Sequence, residues 1–356
     1  MNHNAITILA LETSCDDTGA AVAVDGKIIS NVVASQTVHQ PYGGVIPELA
    51  SRTHNQQITR VAQQAVQQAN VGLKDLTAIA FTQGPGLLGA LLVGSSFAKA
   101  LSMALQVPLI GVHHMRGHVL ANLLENPDMP FPLLCLNVSG GHTQLVHAQS
   151  PLHMRVIGTT HDDAAGEALD KMGKMIGLEY PAGPAIERWA SQGNAYKFSF
   201  PKPEMPGLDF SFSGLKTAFL YFVRNKCALD PHFTEENRSD LCASVQKTVI
   251  DILLSKLERA AASTAIRNIA LAGGVAANTV LRDKLQRLAG KKGWTLHTPR
   301  PEYCTDNAAM IAMAAHHQYL AHDFCDLKSK SLARMPLEDH FDTTTSVYAS
   351  PFKTLA

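Results

Sequence analysis

The segment HHMRGH (113–118) sets His114 and His118 four residues apart, which on a helix is one face and one turn. Imidazole is the commonest protein ligand for metals, so the pair offers part of a metal site. A chain with 16 histidines in 356 residues produces about 0.7 such pairs by chance, the ordinary false-positive rate of a short motif. A third donor is therefore needed. Asp306, in CTDNAAMIAMAAHH (304–317), is the candidate. A carboxylate just before a small-residue helix either caps it or completes a His, His, Asp set. Such a set leaves positions open and suits a first-row cation such as iron or zinc. The local sequence leaves both readings standing.

Three glycine-rich turns could hold a ligand beside that set. GPGLLG (84–89) has the G-x-G-x-x-G spacing after an apolar run. The dinucleotide reading also needs an acid about 20 residues on, and no Asp or Glu occurs from Thr77 to Leu124. Close helix-on-strand packing, with glycine chosen for its missing side chain, is the better explanation of these glycines. NVSGG (137–141) and AGGVAAN (272–278) each place paired glycines directly after an apolar run. Without a Cβ in the way, their N–H groups can approach an anion or a flat ring; taken singly, each is also an ordinary tight turn. No GxxxxGK[ST] occurs, which excludes a P-loop. Asp162, Asp163 and Glu167 read as complements to a helix dipole, whereas Asp170, further inside that helix, could bind ribose hydroxyls.

The elements that must position these residues follow from periodicity. AITILAL (5–11) predicts a strand, ETSCDDTG (12–19) a polar turn, and AAVAVDGKIIS (20–30) a returning strand with an Asp25-Gly26 turn. PLLCLNVSGGHTQLVHAQ (132–149) repeats that design, so the chain reads as two similar halves. Helical spacing runs through 47–69, 162–177 and 238–263, and an apolar helix follows Gly89. TAIAF (77–81) and IRNIALA (266–272) read as strands, and TVLRDKLQRLAG as a helix ending on Gly290. Alternation of strands and helices argues α/β layers. The halves are bounded at 1–131 and 132–340, with a loose tail over 341–356.

Composition narrows the function. The apolar fraction of 46% and charged fraction of 17% describe a folded globular chain, long enough for two lobes. The formal net charge is zero, so bulk charge announces no nucleic-acid partner, which would need a local patch or helper subunits. Six scattered cysteines suggest neither a zinc ribbon nor a disulfide framework and suit a reducing cytoplasm. The beginning of the sequence lacks the features of a signal peptide. The apolar stretch 87–98 is too short for a membrane span.

Taken together the ordered motifs resemble one family, the tRNA adenosine threonylcarbamoyltransferases of bacterial TsaD type, formerly called O-sialoglycoprotein endopeptidases. The resemblance is collinear from about residue 6 to residue 337. It rests on ETSCDDTG (12–19), YGGVIPELASRTH (42–54), TQGPGLLGALLVG (82–94), HHMRGH, NVSGGHTQ (137–144), DDAAGEALDK (162–171), YPAGP (180–184), DFSFSGLKTA (209–218), GGVAAN (273–278) and CTDNAAMIA (304–312). It implies a duplicated actin-like ATPase-domain fold (ASKHA, ribonuclease-H-like), with a cleft between two lobes. It also implies that His114, His118 and Asp306 ligate one Fe2+ or Zn2+. Asn137, Val138, Ser139, Gly140, Gly141, Asp170, Gly183 and Asn278 then surround the adenylate of threonylcarbamoyl-AMP. The implied reaction passes the threonylcarbamoyl group to N6 of the adenosine 3′ of the anticodon in tRNA, with a TsaB-like paralogue and a TsaE-like small ATPase as helpers. Glu12 and Asp16 are the candidates for proton acceptor.

Two positions depart from the family's usual pattern. Arg116 stands where Glu is usual; at i+2 it points away from the His114–His118 face, so ligation survives while a neighbouring contact changes sign. Ala308 stands where Gly is usual, and its methyl is expected to crowd Asp306. Two rivals remain: a metallopeptidase, which would want the H-E-x-x-H base that Met115 displaces, and a non-catalytic nucleotide-binding scaffold. Arg282, Lys284, Arg287, Lys291 and Lys292 read either as a tRNA-docking patch or as a solvated helix face.

Overall fold

The computed structural model describes residues 5–337. The tail from Phe341, expected to be loose, lies outside them.

The first 131 residues supply strands β1 (Thr7–Glu12), β2 (Asp17–Val24), β3 (Lys27–Ser35), β4 (Ala78–Gly84) and β5 (Leu109–His113), with helices α1 (Pro47–Gln68), α2 (Leu88–Leu105) and α3 (His114–Leu120). From residue 132 follow β6 (Leu133–Val138), β7 (Thr143–Ala148), β8 (Met154–Thr159), α4 (Ala165–Met175), α5 (Ala182–Ala190), α6 (Ser213–Leu229), α7 (Phe233–Glu236), α8 (Arg238–Thr264), β9 (Asn268–Ala272), α9 (Thr279–Lys292), β10 (Thr295–His297) and α10 (Ala308–Leu320). Two five-stranded sheets result, ordered β3-β2-β1-β4-β5 and β8-β7-β6-β9-β10. In each, two antiparallel hairpins precede two parallel strands. The repeated hairpin read from the sequence is thus the start of a full duplication.

Strand alternation divides the apolar residues among three cores, because successive side chains face opposite sides of a sheet. Leu9 and Leu11 of β1 face α1 and α2, while Ile8 and Ala10 face the middle of the molecule. Leu134, Leu136 and Val138 of β6 face α4, α5, α6 and α8, while Leu133 and Cys135 face inward. Between the sheets lie α3 and α10. The strand faces that meet them are rich in alanine (Ala10, Ala21, Ala80, Ala270, Ala272), and α10 is buried from Ala308 to Ala315. Small residues let helix and sheet approach closely.

The two middle helices are exchanged. α3 follows β5 yet reaches β6 and β9; α10 follows β10 yet lies on β1, β2 and β3. They touch through Gly117, where a Cβ would come within 3.1 Å of Ile311 and 3.3 Å of Met310.

Three boundaries differ from the sequence reading. The helix expected from 162 starts at Ala165, because Asp162 and Asp163 are engaged elsewhere. α9 runs through Gly290 to Lys292 and is closed by Gly293 at φ +66°, the left-handed position glycine favours. α2 starts at Leu88, one residue before Gly89, and extends to an 18-residue helix long and apolar enough to cross a membrane by length and composition. It packs instead on β4 and α1, with Ala90, Leu91, Gly94 and Ala98 buried.

Candidate functional site

Sites in open α/β sheets lie at the carboxyl ends of parallel strands. β5 ends on His113, whose side chain accepts from the Met115 N–H at 3.1 Å and so caps α3. One turn of α3 then carries His114 and His118, and the exchanged helix α10 brings Asp306 from 188 residues away in sequence. The His118 Nε2 atom lies 3.1 Å from His114 Nε2 and 3.1 Å from Asp306 Oδ1, and His114 Nε2 lies 3.4 Å from Asp306 Oδ1. One ligand atom from each residue falls within 4.8 Å of the others.

Asp306 is not the helix cap that its position allowed. Asn307 takes that role, its Oδ1 accepting from the Met310 N–H at 3.0 Å, which frees Asp306 to face the histidines. Ala308 does not crowd the site: it is fully buried against β2, and a Cβ on Gly19 would sit 3.3 Å from its methyl. Arg116 points off the ligand face and donates from Nη2 to the Leu152 carbonyl at 3.2 Å, tying α3 to the β7–β8 hairpin.

Glu12, fully buried at the end of β1, orients the first histidine. Its Oε2 accepts from Thr82 Oγ1 at 2.5 Å and from His114 Nδ1 at 3.2 Å, and its Oε1 accepts from the Ser14 N–H at 2.5 Å. Burial alone would raise this carboxyl, but the charge and hydrogen bond of His114 outweigh it and hold it below the usual range. An ionised carboxylate only accepts, so His114 keeps a proton on Nδ1, and Nε2 is the nitrogen that faces the ligand cluster. Burial likewise opposes the charge on His114, yet Asp306 and Glu12 together raise it well above an ordinary histidine. Asp306 is driven far below the carboxylate range against its own desolvation by His114 and His118. Burial lowers His118, whose Nδ1 has no partner among the described residues. Two imidazoles and one carboxylate on one side of a small space form a donor set that fits a first-row divalent ion, with outer groups fixing one ring.

The second sheet contributes a ring of turns. Asn137 and Val138 end β6, buried, and Ser139, Gly140 and Gly141 form the turn after it. A Cβ on Gly140, Gly141, Gly183 or Gly274 would meet nothing within 4 Å, so these backbones border open space. Gly166 backs the first turn, its N–H donating to the Ser139 carbonyl at 3.3 Å. Asp170 reaches Gly183: its Oδ1 accepts from the N–H groups of Ala182 at 2.7 Å and Gly183 at 3.3 Å. Asn278 uses both amide atoms within the fold, capping α9 through Leu281 and donating to Gln246 at 2.9 Å. Asp162 accepts from Phe212 and Ser213, and Asp163 pairs with Lys171 and Lys216, so these acids hold α6 against α4.

Two residues were not singled out by the sequence reading. Thr82 anchors Glu12. His54, inside SRTH, holds the 12–19 loop through Cys15 O at 2.9 Å and Thr18 Oγ1 at 2.7 Å; a buried histidine on an otherwise Gln-rich helix was the available signal.

A family model described as TsaD, tRNA N6-adenosine threonylcarbamoyltransferase, matches residues 27–313. The chain belongs to this family. Among TsaD relatives, the tRNA N6-adenosine threonylcarbamoyltransferase of Christiangramia forsetii is 52% identical over 337 residues, covering 94% of this chain and 99% of the relative. That of Cytophaga hutchinsonii is 53% identical over 320 residues, covering 90% and 93%. Among solved structures, T. kodakarensis HypF superposes with a TM-score of 0.60 at 13% identity over 92% of this chain and 50% of its own. The (R)-2-hydroxyglutaryl-CoA dehydratase component A of Acidaminococcus fermentans gives 0.52 at 12% identity over 88% and 99%. These distant likenesses bear on the fold alone, the duplicated actin-like α/β architecture.

Proposed function

We propose that the chain transfers the threonylcarbamoyl group of threonylcarbamoyl-AMP to N6 of the adenosine 3′ of the anticodon, in tRNAs reading codons that begin with A. The observation that carries this reading is the His114, His118, Asp306 cluster set beside open glycine turns in a chain of the TsaD family. The adenylate sits against the 137–141 turn, Asp170, Gly183 and the backbone at Asn278. Turn N–H groups hold the phosphate still as negative charge grows on it. His114, His118 and Asp306 would hold one Fe2+ or Zn2+ per subunit, which would supply Lewis-acid polarisation of a donor oxygen.

In the transfer, the N6 lone pair forms a C–N bond to the carbamoyl carbon. The bond from that carbon to the phosphate oxygen breaks, AMP departs with the electron pair, and the N6 proton passes to a carboxylate acceptor. Glu12 is buried and committed to Ser14, Thr82 and His114; it is a positioning residue, which leaves Asp16, half-buried in the loop after β1, as the candidate acceptor. A peptidase would want the base of H-E-x-x-H beside His114, where Met115 stands instead.

Substrates are tRNA and the donor. Helpers of TsaB-like and TsaE-like kind complete the reaction, and six free thiols suit a reducing cytoplasm. The test is nucleoside analysis of an unmodified tRNA incubated with chain, helpers and donor: threonylcarbamoyladenosine at the anticodon-adjacent position supports the reading, and AMP release with no modified nucleoside overturns it.

A further inference from the structure

A second cavity of about 470 Å³ opens between the β7–β8 hairpin, the start of α3 and residues 335–337. None of the residues given above to the donor lines it. It shares a wall with the metal cluster, because His113 and Met115 flank His114 and His142 follows the 139–141 turn. The segment at 335–337 is fastened there by His113 Nε2 on the Met335 carbonyl at 3.0 Å.

Gln144 is the unusual residue in that wall. It shares the inner face of β7 with Val146 and Ala148, both part of the apolar middle core. Its Oε1 is shut away from solvent and has no hydrogen-bond partner among the described residues. A buried acceptor left in this way needs an N–H, and the soft terminal torsion of glutamine lets the amide turn toward a donor in the cavity. Apolar surface surrounds it: Met115, Val156, Met335, Pro336 and Leu337. Arg155, exposed at the rim and 3.4 Å from His147 Nδ1, is the one Lys, Arg, Asp or Glu among the lining residues.

An uncharged, flat, apolar-walled ligand with an exposed N–H and a phosphate just outside is a nucleobase in a polynucleotide. We infer that this cavity receives the acceptor adenine, flipped from its stack, with Gln144 accepting from its N6 amine and Arg155 meeting a neighbouring phosphate; the inference rests on the transferase reading. Glutamine is a natural partner for the adenine amine, base-modifying enzymes extrude their target into such pockets, and the volume suits a nucleoside. N6 is then held beside the metal cluster while the donor occupies the glycine turns on its other side.

The test compares tRNA carrying adenine with tRNA carrying purine, which lacks the 6-amine, at the acceptor position. Direct binding to the full chain with its helpers is measured, together with metal content and the KM values for tRNA and donor. Wild type is expected to favour adenine by about tenfold, the worth of one good hydrogen bond. Gln144→Leu and Gln144→Met lose that preference and raise the KM for tRNA, with metal content and the donor KM unchanged; Gln144→Glu, which keeps an acceptor, restores the preference. Arg155→Ala weakens both RNAs equally. A preference that survives in Gln144→Leu overturns the assignment. So does a rise confined to the donor KM, which would give the cavity to the threonyl arm. Wild type that transfers without discriminating removes the adenine pocket and leaves the transferase reading intact; wild type that discriminates without transferring does the reverse.

Discussion

Glu12 Oε2 and His114 Nδ1 lie 3.2 Å apart, joining the last residue of β1 to the first residue of α3 across 102 positions of sequence. The carboxylate accepts, so Nε2, the ring nitrogen facing Asp306, is the one that would ligate the proposed metal. Glu12→Gln keeps the size but can offer an N–H to the same ring, releasing its orientation. Metal affinity, measured by competition with a chelator, is expected to fall about 10- to 100-fold, as for other residues that hold a metal-ligating histidine. Unchanged affinity would show that the ring needs no such support.

Metal uptake should release a proton. In the metal-free protein Asp306 and Glu12 hold His114 in its charged form well above the ordinary histidine range, despite the burial that opposes it. Below that raised pKa a cation must displace the Nε2 proton; above it there is none to displace. Affinity therefore climbs as pH rises through neutrality. Calorimetric titration in two buffers of different ionisation heat is expected to give about one proton per ion; equal heats in both would contradict the charged His114.

Gly166 supports the turn proposed to hold the donor phosphate. A Cβ there would lie 2.7 Å from the Ser139 carbonyl oxygen and 2.9 Å from Gly140 Cα, both backbone atoms that can yield only by moving the turn. Gly166→Ala is expected to lose about 10- to 100-fold in transfer through misplacement of the donor, with bound metal unchanged by elemental analysis. Full activity would remove the 139–141 turn from the account.

Arg282 reads from the sequence as part of a basic patch, yet it is built into the fold. Its guanidinium donates to the carbonyls of Ala276 and Pro299 at 2.6 Å each and to Cys304 Sγ at 3.0 Å. Lys284 pairs with Asp251 at 3.1 Å, and Lys292 pairs with Glu258. Arg282→Ala is expected to cost roughly 2–3 kcal/mol in stability by denaturant unfolding, whereas exposed Arg287→Ala stays within about 0.5 kcal/mol. The opposite ranking, with Arg287→Ala weakening tRNA binding, would restore the docking patch.

Much of this was legible because strand runs such as AITILAL and PLLCLNV alternate or saturate with apolar residues in ways that only a sheet buries. The exchange of α3 and α10 was not. The α10 sequence is small and apolar on all sides, so it has no preferred face by which to choose a sheet. The third metal donor stayed ambiguous for a local reason: Asp306 and Asn307 are both good caps, and only the fold reveals which one turns to the backbone. Asp162 misled the helix boundary because it serves Phe212 and Ser213, some 50 residues away. Gln144 looked like any polar residue on an alternating strand until the apolar core around its neighbours was in view.

The central claim is that His114, His118 and Asp306 hold a metal on which transfer depends. Elemental analysis of chain purified without chelator, beside His114→Ala and Asp306→Ala, with transfer to tRNA assayed on the same preparations, tests it most directly. About one iron or zinc per wild-type chain, with metal and transfer lost together in both variants, is the predicted result. Metal-free variants that still modify tRNA at the wild-type rate would contradict it.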